Sequence, residues 1–127
     1  MKQVEIKELD LLGEQEGNAT YSTEINSFSK GRILAYRAKD SVSGNHWHEG
    51  KLAAKNPEIL LVLKGNLKLE WTTELEADYE NSQLLKAPVL IKIYPMVKHR
   101  ITALEDLIFL EHNSIQEHRE DTYYPSE

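Results

Sequence analysis

An all-β fold, a sandwich or barrel of short strands, is what this sequence predicts. Apolar runs of strand length recur at regular spacing, several with alternation of two residues. Glycine, proline, asparagine or aspartate punctuates the junctions between them. The third observation is His46-Trp47-His48, because histidines two apart on a strand point to the same side and converge.

The section up to about Lys30 mixes short apolar stretches with Gly13, Gly17, Asn18 and Ser27, and reads as an edge strand plus loops. Arg32 to Lys39 forms a strand whose Leu34–Tyr36 face is the better core face, and Asp40 to Gly44 turns the chain into the histidine strand. Glu58–Lys64 and Leu67–Trp71 flank Gly65-Asn66, a dipeptide suited to a tight hairpin. Thr72 to Gln83 is acidic and polar and reads as a loop or a solvated turn of helix. Val89–Tyr94, His99–Leu104 and Leu107–His112 are three further strands, with Glu105-Asp106 as the turn between the last two. A charged tail follows from Ser114.

A chain of 127 residues fits one domain, residues 1–127, with its core at about 31–113. Hydrophobic residues at 40% and charged residues at 28% fit a globular protein, and a formal charge of −6 opposes binding to a phosphate backbone. Nucleic acid is therefore not an expected partner. No window approaches the roughly 18 apolar residues that span a bilayer, so no membrane association and a cytoplasmic location are expected. Cysteine is absent, so a bound metal would rest on nitrogen and oxygen.

His46 and His48, a carboxylate at Glu58 on the next strand, and His99 from a distant strand offer three imidazoles and one carboxylate for a divalent transition metal. Zinc, manganese, iron, nickel and cobalt all accept such a set. Glu49 is the other carboxylate in reach, and the residues leave the choice open. A glutamate on the inward face of Glu58-Ile-Leu-Leu-Val needs a partner, which a cation supplies. Trp47 faces the opposite way and packs between sheets. His112, at the end of the face of Ile108 and Leu110, and Tyr36, on the preferred core face of its strand, are candidate acid–base groups with Glu49. Arg100 could hold an anionic group at the rim, but a surface salt bridge is the simpler use. His118, in the charged tail, has no assigned role.

These residues resemble the cupin superfamily. Its first motif, Gly-x5-His-x-His-x3–4-Glu-x6-Gly, is matched in two halves by His46-x-His48 and Glu58-x6-Gly65, with a longer loop between them. Its second motif is kept mainly in His99, with Tyr94, Met96 and Ala103 at positions the family gives to proline, glycine and asparagine. The resemblance covers roughly residues 31–113. It implies a double-stranded β-helix, or jelly-roll barrel, with a pocket at one mouth and often a homodimer. Gly-Asn-His-Trp-His is also similar to cupins of nucleotide-sugar and capsular-polysaccharide metabolism.

The resemblance and the residues together imply a metal-binding cupin acting on a small molecule, a sugar, sugar nucleotide or organic acid. An ion would polarise an oxygen while a side chain moves a proton, as in isomerisation or epimerisation, or would support dioxygenase chemistry if it is iron. Two other readings stand beside it: a non-catalytic carbohydrate or metabolite binder, and a metal-free sugar ketoisomerase-like protein using His46 or His48 as base.

Overall fold

The computed structural model describes residues 2–27 and 29–126, and its regular structure is almost wholly antiparallel strand. In chain order these are β1 (Val4–Glu8), β2 (Asp10–Gln15), β3 (Asn18–Ser22), β4 (Ile33–Arg37), β5 (Val42–His46), β6 (Glu58–Lys64), β7 (Asn66–Thr72), β8 (Asn81–Lys86), β9 (Val89–Ile93), β10 (Lys98–Ala103) and β11 (Leu107–Glu111). A 3-10 turn at Ala53–Lys55 precedes β6, and one helix, α1 (Ile115–Glu120), follows β11. Among the described residues no helix is long and apolar enough to cross a membrane.

Two sheets face each other, one in the order β1-β9-β6-β11-β4 and one in the order β5-β10-β7-β8. From β4 onward the chain crosses between them at most connections, which is the winding of a jelly roll. This corrects the expected hairpin at Gly65-Asn66. β6 pairs with β9 and β11, whereas β7 pairs with β10 and β8, so the dipeptide carries the chain from one sheet to the other. Gly65 is required at this corner by space and by its φ of +100°. A Cβ there would lie 2.4 Å from the Asp106 carbonyl oxygen.

The N-terminal edge strand is present as β1 on β9. The expected loops after it are instead a second hairpin, β2–β3, whose residues are all exposed. The polar stretch after Thr72 does form a loop, but β8 begins at Asn81 inside the range read as unstructured. In the tail, Ser114 caps α1 with a capping box: its hydroxyl accepts from the Glu117 amide at 3.1 Å, and the Glu117 carboxylate accepts from the Ser114 amide at 2.8 Å.

Strand parity sets the interior. Val62, Leu67, Leu69, Val89, Ile91, Ala103, Leu107 and Phe109 form its apolar part. On β4 the inward residue is Ala35, while Leu34 and Tyr36 are 68% and 60% exposed, the reverse of the expected faces. The reason lies across the ladder: Ala35 stands opposite Phe109, whose ring takes up the space, and the Arg37 guanidinium covers that ring at 5.5 Å.

Candidate active site

The interior turns polar where β5, β6, β10 and β11 reach one mouth of the barrel. His46 and His99 are direct partners across the β5–β10 ladder, and a bulge there lets the strand bend. Gly44, with φ at +91°, makes the bend possible, since a Cβ would stand 2.9 Å from the His99 carbonyl oxygen. His48 follows by two residues and shares the inward direction of His46. The ring centroids of the three lie 4.8 to 5.3 Å apart.

All three imidazoles are buried, and Glu58 is buried with them. The Glu58 carboxylate lies 2.5 Å from His48 Nε2 through Oε2 and 3.8 Å from His99 Nε2 through Oε1. His48 Nδ1 faces the Asp121 carbonyl at 2.7 Å and His99 Nδ1 the Val97 carbonyl at 3.0 Å, so backbone acceptors orient both rings. These four residues, expected together from the sequence, meet at one site.

The partner that neutralises Glu58 is a residue outside the motifs. Lys55, at the end of the 3-10 turn, is completely buried, and its ammonium lies 2.6 Å from Glu58 Oε2 and 2.9 Å from His118 Nδ1. Burial alone would favour a protonated Glu58, but the charges of His48 and Lys55 prevail and hold it well below the usual carboxylate range. Burial lowers His46 to about 2, His99 to about 4 and His118 to about 4, so these rings are neutral at physiological pH.

The space enclosed is small, about 70 Å³, and is lined by Arg37, His46, Glu58, His99, Glu111 and His118 among others. The segment after β11 covers it. Tyr123 and Trp47 exchange two backbone hydrogen bonds of 2.9 and 3.0 Å, the buried Asp121 carboxylate accepts from the amides of Glu49 and Leu52, and the Tyr124 ring meets His46 edge-on. Trp47 does face away from the histidines, but it stacks on Tyr123 instead of packing between the sheets.

The three expected acid–base residues lie elsewhere. Tyr36 is on the outer face of β4. Glu49 is at the rim, paired with Lys51 at 3.0 Å. His112 is buried outside the cavity, with its amide bonded to Ile59 and its carbonyl accepting from Ser27. Residue 112 has the parity of the outward Ile108 and Leu110, so Glu111 is the residue of that strand end that faces inward. Arg100 forms the two-pronged surface pair expected of it, with 3.0 Å to each oxygen of Glu70. Lys55 carries no periodic signal in a loop, but the Ser114-x-x-Glu117 box predicts a helix that would have raised His118 from the tail.

A metal can be tested against this donor set. The ring nitrogens of His46, His48 and His99 lie within 4.8 Å of one another. Two nitrogens on one ion at about 2.1 Å can be no more than about 4.2 Å apart, so a small contraction fits them to a metal. Glu58 stands beside them with its Oε2 held by Lys55 and His48, while its Oε1 lies 3.8 Å from His99 Nε2.

No protein-family model matches the sequence, and no curated protein matches it. Solved structures do. A double mutant of the 3,4-ketoisomerase QdtA from Thermoanaerobacterium thermosaccharolyticum, in complex with TDP, has a TM-score of 0.71 at 19% identity, covering 96% of this chain and 87% of that one. A single mutant of the same enzyme, in complex with TDP-4-keto-6-deoxyglucose, gives 0.66 at 15% identity over the same shares. The dTDP-4-dehydrorhamnose 3,5-epimerase from Elizabethkingia anophelis NUHP1 gives 0.63 at 14%, covering 99% of this chain and 72% of that one. Likeness at such identities concerns the fold, and it agrees with the strand order found here: the chain has the jelly-roll barrel fold of these structures.

Proposed function

We propose that the protein is an isomerase or epimerase of a nucleotide-linked sugar that moves a proton beside a carbonyl group. The observation that carries this reading is the buried Lys55–Glu58–His48 array set against two neutral imidazoles in a cavity. A buried charged array adds little net stability over well-packed apolar side chains, so its presence in a cavity points to chemistry. The ligands and activities named for the similar structures support the substrate class.

His46 is the proton acceptor in this reading. It lines the cavity, and its ring nitrogens make no hydrogen bond within the described residues. It is neutral when substrate arrives; burial also weakens it as a base, and the negative charge of Glu58 offsets part of that cost. Lys55 and His48 fix the Glu58 carboxylate. His118 also lines this space of about 70 Å³. Were Tyr36, Glu49 and His112 the only acid–base candidates, a binding protein would be the better reading; Glu111 and His118 at the cavity favour catalysis.

The test is incubation with TDP-4-keto-6-deoxyglucose in deuterated water, read by proton NMR. Loss of a carbon-bound proton signal in the intact protein, absent in His46→Ala, supports the proposal. No exchange and no product with any sugar nucleotide tried would refute it.

A second reading, favoured by the convergence of the three histidine nitrogens, has a divalent metal on His46, His48 and His99, with His48 released from Glu58. Such an ion would polarise the substrate carbonyl. Elemental analysis of purified protein beside His99→Ala, with activity measured before and after chelation, separates the two. Stoichiometric metal lost in the variant and activity lost on chelation favour the metal.

The proposal extends to a single-domain cytoplasmic homodimer. The exposed Leu11, Leu12 and Tyr21 of β2–β3 and the exposed Leu34 and Tyr36 of edge strand β4 favour pairing with a second copy. Light scattering at twice the chain mass would support this, and a monomer at micromolar concentration would count against it.

A further inference from the structure

Two carboxyl groups face the imidazole cavity, and only Glu58 has been given a role. Glu111 stands opposite Leu60 on the β11–β6 ladder, and Glu58 lies two residues before Leu60 on the same inward face. The two glutamates are therefore diagonal neighbours across one strand pair, at a backbone spacing of roughly 7–8 Å. Both line the cavity.

Their surroundings differ. Lys55 and His48 hold Glu58, whereas the Glu111 carboxyl makes no hydrogen bond or ion pair within the described residues. The charged and titratable groups around Glu111 are Glu58 on β6, Lys55 in the turn before it, Arg37 on β4, His46 and His48 at the end of β5, His99 on β10 and His118 on α1. Burial, aided by the charge of Glu58 and opposed by Lys55, Arg37 and His48, pushes Glu111 up to about 7. One cavity thus holds a carboxylate fixed as an anion and a carboxyl group that keeps its proton until about neutral pH. A carboxyl group kept protonated beside a fixed carboxylate is equipped to act as an acid.

Folding gives no reason for the residue. The inward positions of β11 run Leu107, Phe109, Glu111, and an apolar side chain would continue the pattern without the cost of a half-buried, unpaired carboxyl group.

We propose that Glu111 is a catalytic residue, the acid that protonates the substrate's carbonyl oxygen. The assignment rests on the isomerase reading above. His46 removes the proton from the carbon next to the carbonyl, and the C–H electron pair forms the carbon–carbon double bond. The carbonyl oxygen takes the proton of Glu111, which gives an enediol. In the second half the Glu111 carboxylate recovers a proton from the neighbouring hydroxyl, whose oxygen becomes the new carbonyl, and His46 returns its proton to the former carbonyl carbon. Nothing is gained or lost overall, so no external oxidant or reductant enters.

The experiment compares the wild-type chain, Glu111→Gln and Glu111→Asp on TDP-4-keto-6-deoxyglucose. Glutamine keeps the size and a donor but has no transferable proton. Its kcat is expected to fall by about a hundredfold or more with KM within about threefold, and aspartate is expected to recover part of the loss. The wild-type kcat should decline as pH rises through about 7, and that limb should be missing in Glu111→Gln. Carbon-13 NMR of the glutamate carboxyls, which needs no substrate, should show one group titrating near 7 that is lost in the glutamine variant. A glutamine variant within threefold of wild-type kcat overturns the acid role while leaving the isomerase reading intact. An inactive wild type overturns both.

Discussion

At one end of the barrel interior Val62, Leu67, Val89, Ala103 and Leu107 close around one another; at the other, Lys55, Glu58, His48 and His99 are buried just as completely, all nine at most 2% exposed. The degree of burial is the same, but its cost is not. The apolar end gains roughly 25 cal/mol for each Å² removed from water. The polar end gives up the hydration of several charged or polar groups and recovers it only through the bonds among them. An interior position is thus no guide to stabilisation: Leu67 holds the barrel together, while Lys55 serves mainly to keep Glu58 ionised and in place.

The sharpest way to break the comparison is to remove one member of the polar array. Lys55→Met leaves Glu58 buried without its ammonium partner and should cost about 3–5 kcal/mol in urea unfolding at pH 7. Replacing both, in Lys55→Met with Glu58→Leu, should return most or all of that stability while leaving turnover absent. A double variant as unstable as the single would show that the array is structural. At the apolar end, Leu67→Ala should cost about 2–5 kcal/mol by leaving a cavity, with no second substitution at the site mouth able to restore it.

A pH titration sharpens the contrast further. His46, His99 and His118 have folded values below the unfolded value of about 6.5, so the unfolded chain binds more protons between those limits. Their contribution is therefore fully present above about pH 6.5 and is lost as pH falls towards 4. Glu111, raised above its unfolded value, contributes with the opposite sign, its share being present below about 4.5 and lost as pH rises through 7. Denaturation midpoints measured from pH 7.5 to 4 should fall more steeply in Glu111→Gln than in wild type. The smallest effect expected is that of Arg100→Gln, which breaks the surface pair with Glu70. It should cost less than about 1 kcal/mol and leave kcat unchanged.

Much of the polar end was legible in the chain. His46 and His48 converge because strand side chains repeat every two residues, and Glu58 at the head of an apolar run signals a buried carboxylate in need of a partner. The identity of that partner was not legible. A metal ion and a lysine meet the same electrostatic demand, and Lys55 lies in a loop whose path no local pattern dictates. Tyr36 and His112 fail for a related reason. Alternation gives two faces but does not say which is inward when both carry apolar residues, and on β4 the bulk of Phe109 on the adjacent strand decides.

The residues by themselves thus determined the strand-rich architecture and the convergence of His46 and His48, since both follow from periodicity within short stretches, while the motif resemblance implied that Glu58 and His99 join them. Tertiary structure alone decided the sheet crossing at Gly65, the choice of Lys55 as counter-charge, the arrival of His118 and the pairing of Glu111 with Glu58. Each of these depends on contacts between segments far apart in the chain or on the route of an irregular loop, where the energy comes from packing and charge and local preference is silent.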